Sequence, residues 1–159
     1  MKRTLSALAK NEPGVLAELA SEFGKSDANI LSLAAGETEN PEISRIVLRL
    51  EGDDAAITAA EKYLDSLDAI IQIDDLSRKD FVDRELVMIK IAMSPDSTGQ
   101  LMQIFEVFRA NVVGMGQDTI TVELAGDQER IEGLIQMLLP YGIKSMCRSG
   151  MIALKRGDE

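Results

Sequence analysis

The sequence predicts an α+β protein of two ferredoxin-like halves, each in the order β-α-β-β-α-β. Three observations carry this. Over residues 4–76, short runs of alternating apolar residues are separated by stretches of helical apolar spacing, in that order. After the polar Ser77-Arg78-Lys79-Asp80 the pattern begins again. The halves also share a local signature: Leu50-Glu51-Gly52-Asp53 and Leu124-Ala125-Gly126-Asp127 each end a strand and open a helix, with Ile57 and Ile131 at matching offsets. The chain therefore divides into an N-terminal domain at 1–76, a linker at 77–83 and a C-terminal domain at 84–159.

Thr4–Lys10 alternates as a strand and runs into Asn11-Glu12-Pro13-Gly14-Val15-Leu16. Proline suits a first helical turn, where its missing N–H has no partner to lose, and asparagine ahead of it can cap free donors. Gly14 is unusual there, since glycine inside a helix costs about 1 kcal/mol against alanine. The local sequence favours an ordinary capped helix with a tolerated glycine. The other reading is a turn where an anion approaches the backbone N–H groups and the positive end of the helix dipole. Val15, Leu16, Leu19, Ala20 and Phe23 then form one helical stripe, which Gly24 ends. Asn29–Gly36 reads as a strand, Glu39-Asn40-Pro41-Glu42 as a turn, and Ile43–Leu50 as a strand with Ile46, Leu48 and Leu50 on one face and Arg45 and Arg49 on the other. Asp53 caps a helix with stripe Ile57, Ala60, Leu64 and Leu67, and Ile70–Ile73 is the last strand of this half, closed by Asp74-Asp75 as solvated residues.

In the second half Val87, Ile89, Ile91 and Met93 alternate as a strand. A helix with Leu101, Ile104, Phe105 and Phe108 follows a loop at 94–99, and strands Asn111–Met115 and Thr119–Leu124 flank a short turn. A helix with Ile131, Leu134, Ile135 and Leu138 ends near Pro140, and Ile143–Cys147 and Met151–Leu154 are the last strands. Each half leaves one sheet face needing cover, so pairing between sheets or between chains is expected.

Of 159 residues, 17 are basic and 27 acidic, a net charge of -10 that argues against nucleic acid and anionic membrane surfaces as partners. With no histidine and the single cysteine Cys147, intrachain disulfides, Cys/His zinc sites and Ser-His-Asp or Cys-His catalysis are excluded. The apolar run after Met1-Lys2-Arg3 is broken by Lys10-Asn11-Glu12, too short for a signal peptide, and no stretch approaches transmembrane length, so a reducing, cytoplasmic setting fits. The carboxylate pairs Asp53-Asp54 and Asp74-Asp75 read as caps and strand ends rather than as acid–base machinery. Gly114-Met115-Gly116 is no dinucleotide fingerprint, because no helix follows it. The eight methionines read as core filler, and Cys147, beside Arg148, as a buried or half-buried structural thiol. Arg148-Ser149-Gly150 reads as an interface turn or a plain bulge. A chain without visible catalytic machinery reads as a binding or regulatory protein.

Asn11-Glu12-Pro13-Gly14-Val15-Leu16, Asn29-Ile30 and Ser44-Arg45 resemble the first ACT domain of the acetolactate (acetohydroxyacid) synthase small subunits. The likeness continues through Arg84-Glu85-Leu86, Ile89-Lys90, Phe105–Arg109, Arg148-Ser149-Gly150 and Ala153–Gly157, nearly the whole chain. The resemblance implies a regulatory subunit, not an enzyme, that activates a catalytic subunit using thiamine diphosphate, Mg2+ and FAD, none of them on this chain. It also implies feedback inhibition by valine in branched-chain amino acid biosynthesis. Two ACT domains would pair as a homodimer, with the effector where Asn11, Gly14, Val15 and Leu16 of one chain meet Asn29 and Ile30 of the other. The sequence departs from the family pattern at Ser26-Asp27-Ala28 and at Leu31, where Ser26-Asp27 adds negative charge beside a site meant for a zwitterion. A free-standing amino-acid-sensing ACT protein acting on another partner is the alternative.

Overall fold

The computed structural model describes residues 1–158, and of Glu22 the backbone alone. Its α+β architecture is two antiparallel sheets with paired helices, in the element order read from the sequence. The chain forms two compact units: Met1–Val82 together with the stretch from Met151, and Asp83–Gly150.

The first unit contains β1 (Lys2–Lys10), α1 (Val15–Phe23), β2 (Asn29–Glu37), β3 (Ile43–Glu51), α2 (Asp54–Asp65) and β4 (Ile70–Asp75), with strand order β2-β3-β1-β4. Leu5 stands opposite Leu48 and Ala7 opposite Ile46, so period-two alternation sends these side chains to one face. There Leu5, Ile46, Leu48 and Leu50 are buried with Leu19 and Phe23 of α1 and Ile57 and Leu64 of α2. Asp53 caps α2 as expected, accepting from the Ala56 N–H at 2.7 Å. The stripe of α1 is narrower than its spacing predicts: Leu19 and Phe23 are buried, while Leu16 and Ala20 are exposed, because the sheet covers only the inner side of this helix.

The opposite face of this sheet is covered from within the unit. Val47 packs with Leu76, Phe81 and Ala153, and the Thr4 hydroxyl lies 3.9 Å from the Met151 sulfur. The stretch read as a linker is ordered: Leu76–Arg78 is one 3-10 turn whose Leu76 is buried, and β5 (Phe81–Ala92) begins at once after it. β9 (Ile152–Lys155), read from sequence as part of the second half, groups with this unit and pairs with β5. Asp74 and Asp75 are not solvated strand ends. Asp74 bonds Lys79 at 2.7 Å and Lys155 at 3.2 Å. Asp75, buried, bonds Arg78 at 3.0 Å and Arg3 at 3.3 Å and accepts from the Ser77 N–H. Their cations come from outside the strand, so nothing in the strand's own residues marks them.

The second unit continues along β5 with α3 (Thr98–Phe108), β6 (Asn111–Met115), β7 (Thr119–Gly126), α4 (Gln128–Leu138) and β8 (Ile143–Arg148), in sheet order β6-β7-β5-β8. Val87, Ile89 and Ile91 face Leu124, Val122 and Ile120 across the ladder and are buried against Leu101, Phe105, Ile131 and Leu134. Pro140 sits in the 3-10 turn that ends α4. On this helix side Arg148 bonds Glu85 twice, at 2.7 and 3.1 Å, and Glu132 of α4 at 2.9 Å. The outer face is open: Leu86 and Met88 are more than 40% exposed. Cys147 stands opposite Met88 on the edge strand β8, so it is exposed rather than buried. Five of the eight methionines (Met1, Met88, Met115, Met137 and Met146) are likewise exposed, not core filler.

Candidate functional site

The β1–α1 turn differs from the capped-helix reading in one respect: Pro13 and Gly14 precede the helix instead of lying inside it. Gly14 has φ +91°, a conformation that disfavours any side chain with a β-carbon, which is why glycine stands there. A β-carbon on Gly14 would meet nothing within 4 Å, so the turn opens outward. The Gly14 carbonyl accepts the Glu18 N–H at 2.9 Å, the first bond of α1, so Val15, Leu16 and Ala17 are first-turn residues whose N–H groups have no carbonyl within the helix to reach. The Val15 N–H reaches the Glu12 carbonyl only at 3.5 Å. Beside the turn lies an open depression of about 620 Å3 lined by Lys10, Glu12, Gly14, Glu18 and Asp68 among others. Backbone donors thus stand beside both carboxylates and Lys10 in this depression.

Asn11 does not cap α1. Its N–H donates to the Glu42 carbonyl at 2.8 Å, its side-chain Nδ2 donates to the Pro41 carbonyl at 2.9 Å, and its Oδ1 accepts from the Ser44 hydroxyl at 3.0 Å. Sequence reasoning missed Pro41, Glu42 and Ser44 as partners of this turn. They lie some thirty residues away, and only the β1–β3 register, which sets Lys10 opposite Ile43, brings them together.

Asn29 and Ile30 open β2, where Asn29, exposed, stands opposite Glu51 and Ile30, half-buried, opposite Leu50. The Asn11 turn adjoins Ser44 at the start of β3, whereas Asn29 stands at its end. At ~3.3 Å per residue the two parts are roughly 23 Å apart along the strand. One chain therefore brings Asn11, Gly14, Val15 and Leu16 together and keeps Asn29 and Ile30 away from them. Of the departing residues, Ala28 is a core residue, the Ser26 hydroxyl accepts the Ala28 N–H at 3.3 Å, and Asp27 is exposed. Leu31 falls at the register shift between Ile30 and Ser32, a bulge in the edge strand.

Among the described residues, no three His, Cys, Asp or Glu side chains converge as a metal site, and no helix is long and apolar enough to cross a membrane. The carboxylates weighed as acid–base candidates have structural partners: Asp53 caps α2 and Asp54 pairs with Arg3.

Residues 5–72 match the family model for the AHAS small subunit-like ACT domain, and residues 84–157 the model for the small subunit of acetolactate synthase. The chain is 34% identical to a probable acetolactate synthase small subunit of Archaeoglobus fulgidus, over all of this chain and 99% of that protein. It is 35% identical to the acetolactate synthase small subunit of Bacillus subtilis, over all of this chain and 93% of that one. The crystal structure of the acetolactate synthase small subunit from Thermotoga maritima superposes with a TM-score of 0.84 at 27% identity, covering 100% of this chain and 99% of that one. With its fold, both family matches and its full-length relatives in agreement, the chain belongs to the acetolactate synthase small-subunit family.

Proposed function

We propose that this protein is a regulatory subunit. It binds the catalytic large subunit of acetolactate synthase, raises its activity and makes it sensitive to valine, in branched-chain amino acid biosynthesis. Thiamine diphosphate, Mg2+ and FAD reside on the large subunit, and the setting is the cytoplasm. The observation that carries the reading is the match over essentially the full length of both this chain and its relatives.

The geometry supports a shared effector site. β2 is an edge strand, so its outer backbone groups are available to a second copy. Antiparallel pairing of two β2 strands about a two-fold axis sets the start of one beside the end of the other. The end of β2 lies with the Asn11 turn, because Glu37 pairs with Ser44 and Ser44 bonds Asn11. Homodimer formation in this way carries Asn29 and Ile30 of the partner subunit to the Gly14 turn. The N–H groups at Gly14 and Val15 then hold the effector carboxylate, with a dipole contribution of ~1 kcal/mol. Asn29 of the partner subunit receives the ammonium, and Leu16 with Ile30 of the partner subunit encloses the branched side chain. Full burial of that side chain is worth about 1.5–3 kcal/mol. Because the site is completed by two chains, occupancy biases how they pack, and that is the two-state element regulation requires.

Mixing the protein with the large subunit is expected to raise acetolactate formation, and valine then to lower it; no change on mixing overturns the reading. Amino-acid binding by calorimetry without association with the synthase would instead favour a free-standing sensor. Gly14→Asp is expected to abolish valine binding, by obstruction and by repulsion of the carboxylate, while the fold persists. An unchanged valine titration in that variant would refute the site.

A further inference from the structure

Arg45, Val47 and Arg49 of β3 alternate onto the face of the first sheet that carries no helices. Arg49 is 9% exposed. Among the described residues its side chain has no hydrogen bond or ion pair, and its nitrogens keep some access to solvent, since none is both sealed and unpartnered. A guanidinium withdrawn from water in this way is costly until something pairs with it. Arg45, half-buried, donates only to the neutral Ser6 hydroxyl, at 3.0 Å. Ser6 stands opposite Val47, so that bond draws the Arg45 head along the strand toward Arg49 and leaves about 7 Å between their rows. The carboxylate across the sheet from Ser6, Asp74, is shared by Lys79 and Lys155. Glu51, two residues beyond Arg49 on the same face, is exposed. This face thus gathers Arg45, Arg49, Lys79 and Lys155 against Asp74 and Glu51, in a chain whose net charge is -10. On its β2 side, Ser32, Ala34 and Gly36 stand opposite Arg49, Val47 and Arg45. Their side chains are too short to fill the space above them, and a β-carbon on Gly36 would meet nothing within 4 Å.

We propose that Arg49 and Arg45 form a binding site for a doubly charged oxyanion of phosphate size, over the small residues of β2. The ligand class follows from charge and room. Two guanidiniums without a carboxylate partner call for two negative charges, and arginine meets phosphate oxygens through paired N–H donors. A compact tetrahedral group can reach a side chain as buried as Arg49, whereas a strand or helix cannot. Ser32, opposite Arg49, sets a hydroxyl donor beside the site. The site shares no residue with the effector turn.

The test is calorimetric titration of the full chain with inorganic phosphate, at a pH where phosphate carries two charges and with ionic strength held constant by sodium chloride. One phosphate is expected to bind per chain, about tenfold or more tighter than acetate under the same conditions. Arg49→Met should weaken phosphate binding about tenfold or more, the range for a lost charged hydrogen-bond donor. That variant should stay folded, because a long apolar side chain suits a buried position better than an unpaired charge. Arg49→Lys, which keeps the charge and loses the fork of donors, should fall between the two. Arg45→Gln should weaken binding about three- to tenfold. Phosphate should raise the melting temperature of the unmodified chain and not that of Arg49→Met. Arg84→Gln, which removes an exposed arginine outside the site, should leave the titration unchanged. No phosphate binding beyond that of chloride, equal affinity for acetate, or full affinity in Arg49→Met overturns the site. If Arg49→Met does not fold, full phosphate affinity in both Arg49→Lys and Arg45→Gln overturns it.

Discussion

The two units share a topology and differ in what they do with the sheet face that carries no helices. Thr4 in β1 and Met88 in β5 stand at matching positions, opposite Arg49 and Glu123, given the correspondence of Leu50 with Leu124. Thr4 is 6% exposed and Met88 44%. In the first unit Leu76, Phe81 and the strand after Met151 close that face, and Thr4 and Ser6 are the small polar residues that fit beneath such a cover. In the second unit the same face bears Leu86 and Met88 in the open, and the buried ionic contact, Arg148 with Glu85, sits on the helix side. The first β-α-β-β-α-β unit thus has this face closed by the strand after Met151, while Leu86 and Met88 stay exposed in the second. A face of this kind can be satisfied by a borrowed strand as well as by a second sheet.

A matched pair of substitutions gives the largest effect and could break the comparison outright. Leu76→Ala, under the first sheet, is expected to cost about 2–5 kcal/mol, because it opens a cavity in a closed layer. Leu86→Ala, on the open face, should stay within ~0.5 kcal/mol. Urea denaturation of the two variants compares them directly. Equal costs, or a Leu86→Ala cost that grows with protein concentration, would mean that the second face is covered in solution. A middling effect separates the two carboxylates that meet Arg148. The Glu85 side chain is 5% exposed, so Glu85→Gln leaves a guanidinium without its main counter-ion and should cost about 2–3 kcal/mol. Glu132, 41% exposed, offers a screened second contact, and Glu132→Gln should cost less than about 1 kcal/mol. A reversed ranking would show that the helix-side contact is not what holds β5 and β8 in the second unit.

What the sequence disclosed, and what it withheld, follow the range of the interactions. Strands and helices are written in local periodicity, so alternation alone assigns Leu5 and Leu48, and likewise Val87 and Leu124, to core faces. The Asp53 cap is equally local, spanning three residues. Features set by distant chain were hidden. Asp74 looks solvated until Lys79 and Lys155 arrive, and Asn11 looks like a cap until Pro41 and Ser44 do. Leu16 and Ala20 continue a helical stripe in sequence, yet the sheet covers only part of it. Cys147 is in phase with Ile143 by alternation, yet the register shift between Lys90 and Ile91 sets it opposite Met88 on the open face. The candidate site was legible as a turn, through Gly14, and illegible as a connection, since its partners are set by the β1–β3 register.

The smallest effect concerns the clasp that fastens the strand after Met151 to the first sheet. The hydrogen bond from Lys79, supported by those from Gln72 and Lys155 against the opposing cost of burial, lowers the Asp74 pKa from its ordinary 3.8 to about 2. A carboxylate with a depressed folded-state pKa contributes stability that is present in full above its unfolded value and disappears as pH falls through the folded one. The window is therefore from about pH 4 down to about pH 2, and above it the contribution does not vary with pH. Lys79 is itself 45% exposed and open to screening, so the contribution is about 1 kcal/mol rather than the full value of the shift. Asp74→Asn should lower stability by about that amount at neutral pH and flatten the acid limb of the stability curve between pH 4 and 2. The difference from the unmodified chain should shrink in high salt, since the exposed Lys79 makes the largest contribution to it. An acid limb identical in the two proteins would assign the closure of the first sheet to Leu76 and Ala153 alone, and leave the ionic clasp as an ornament of the apolar cover.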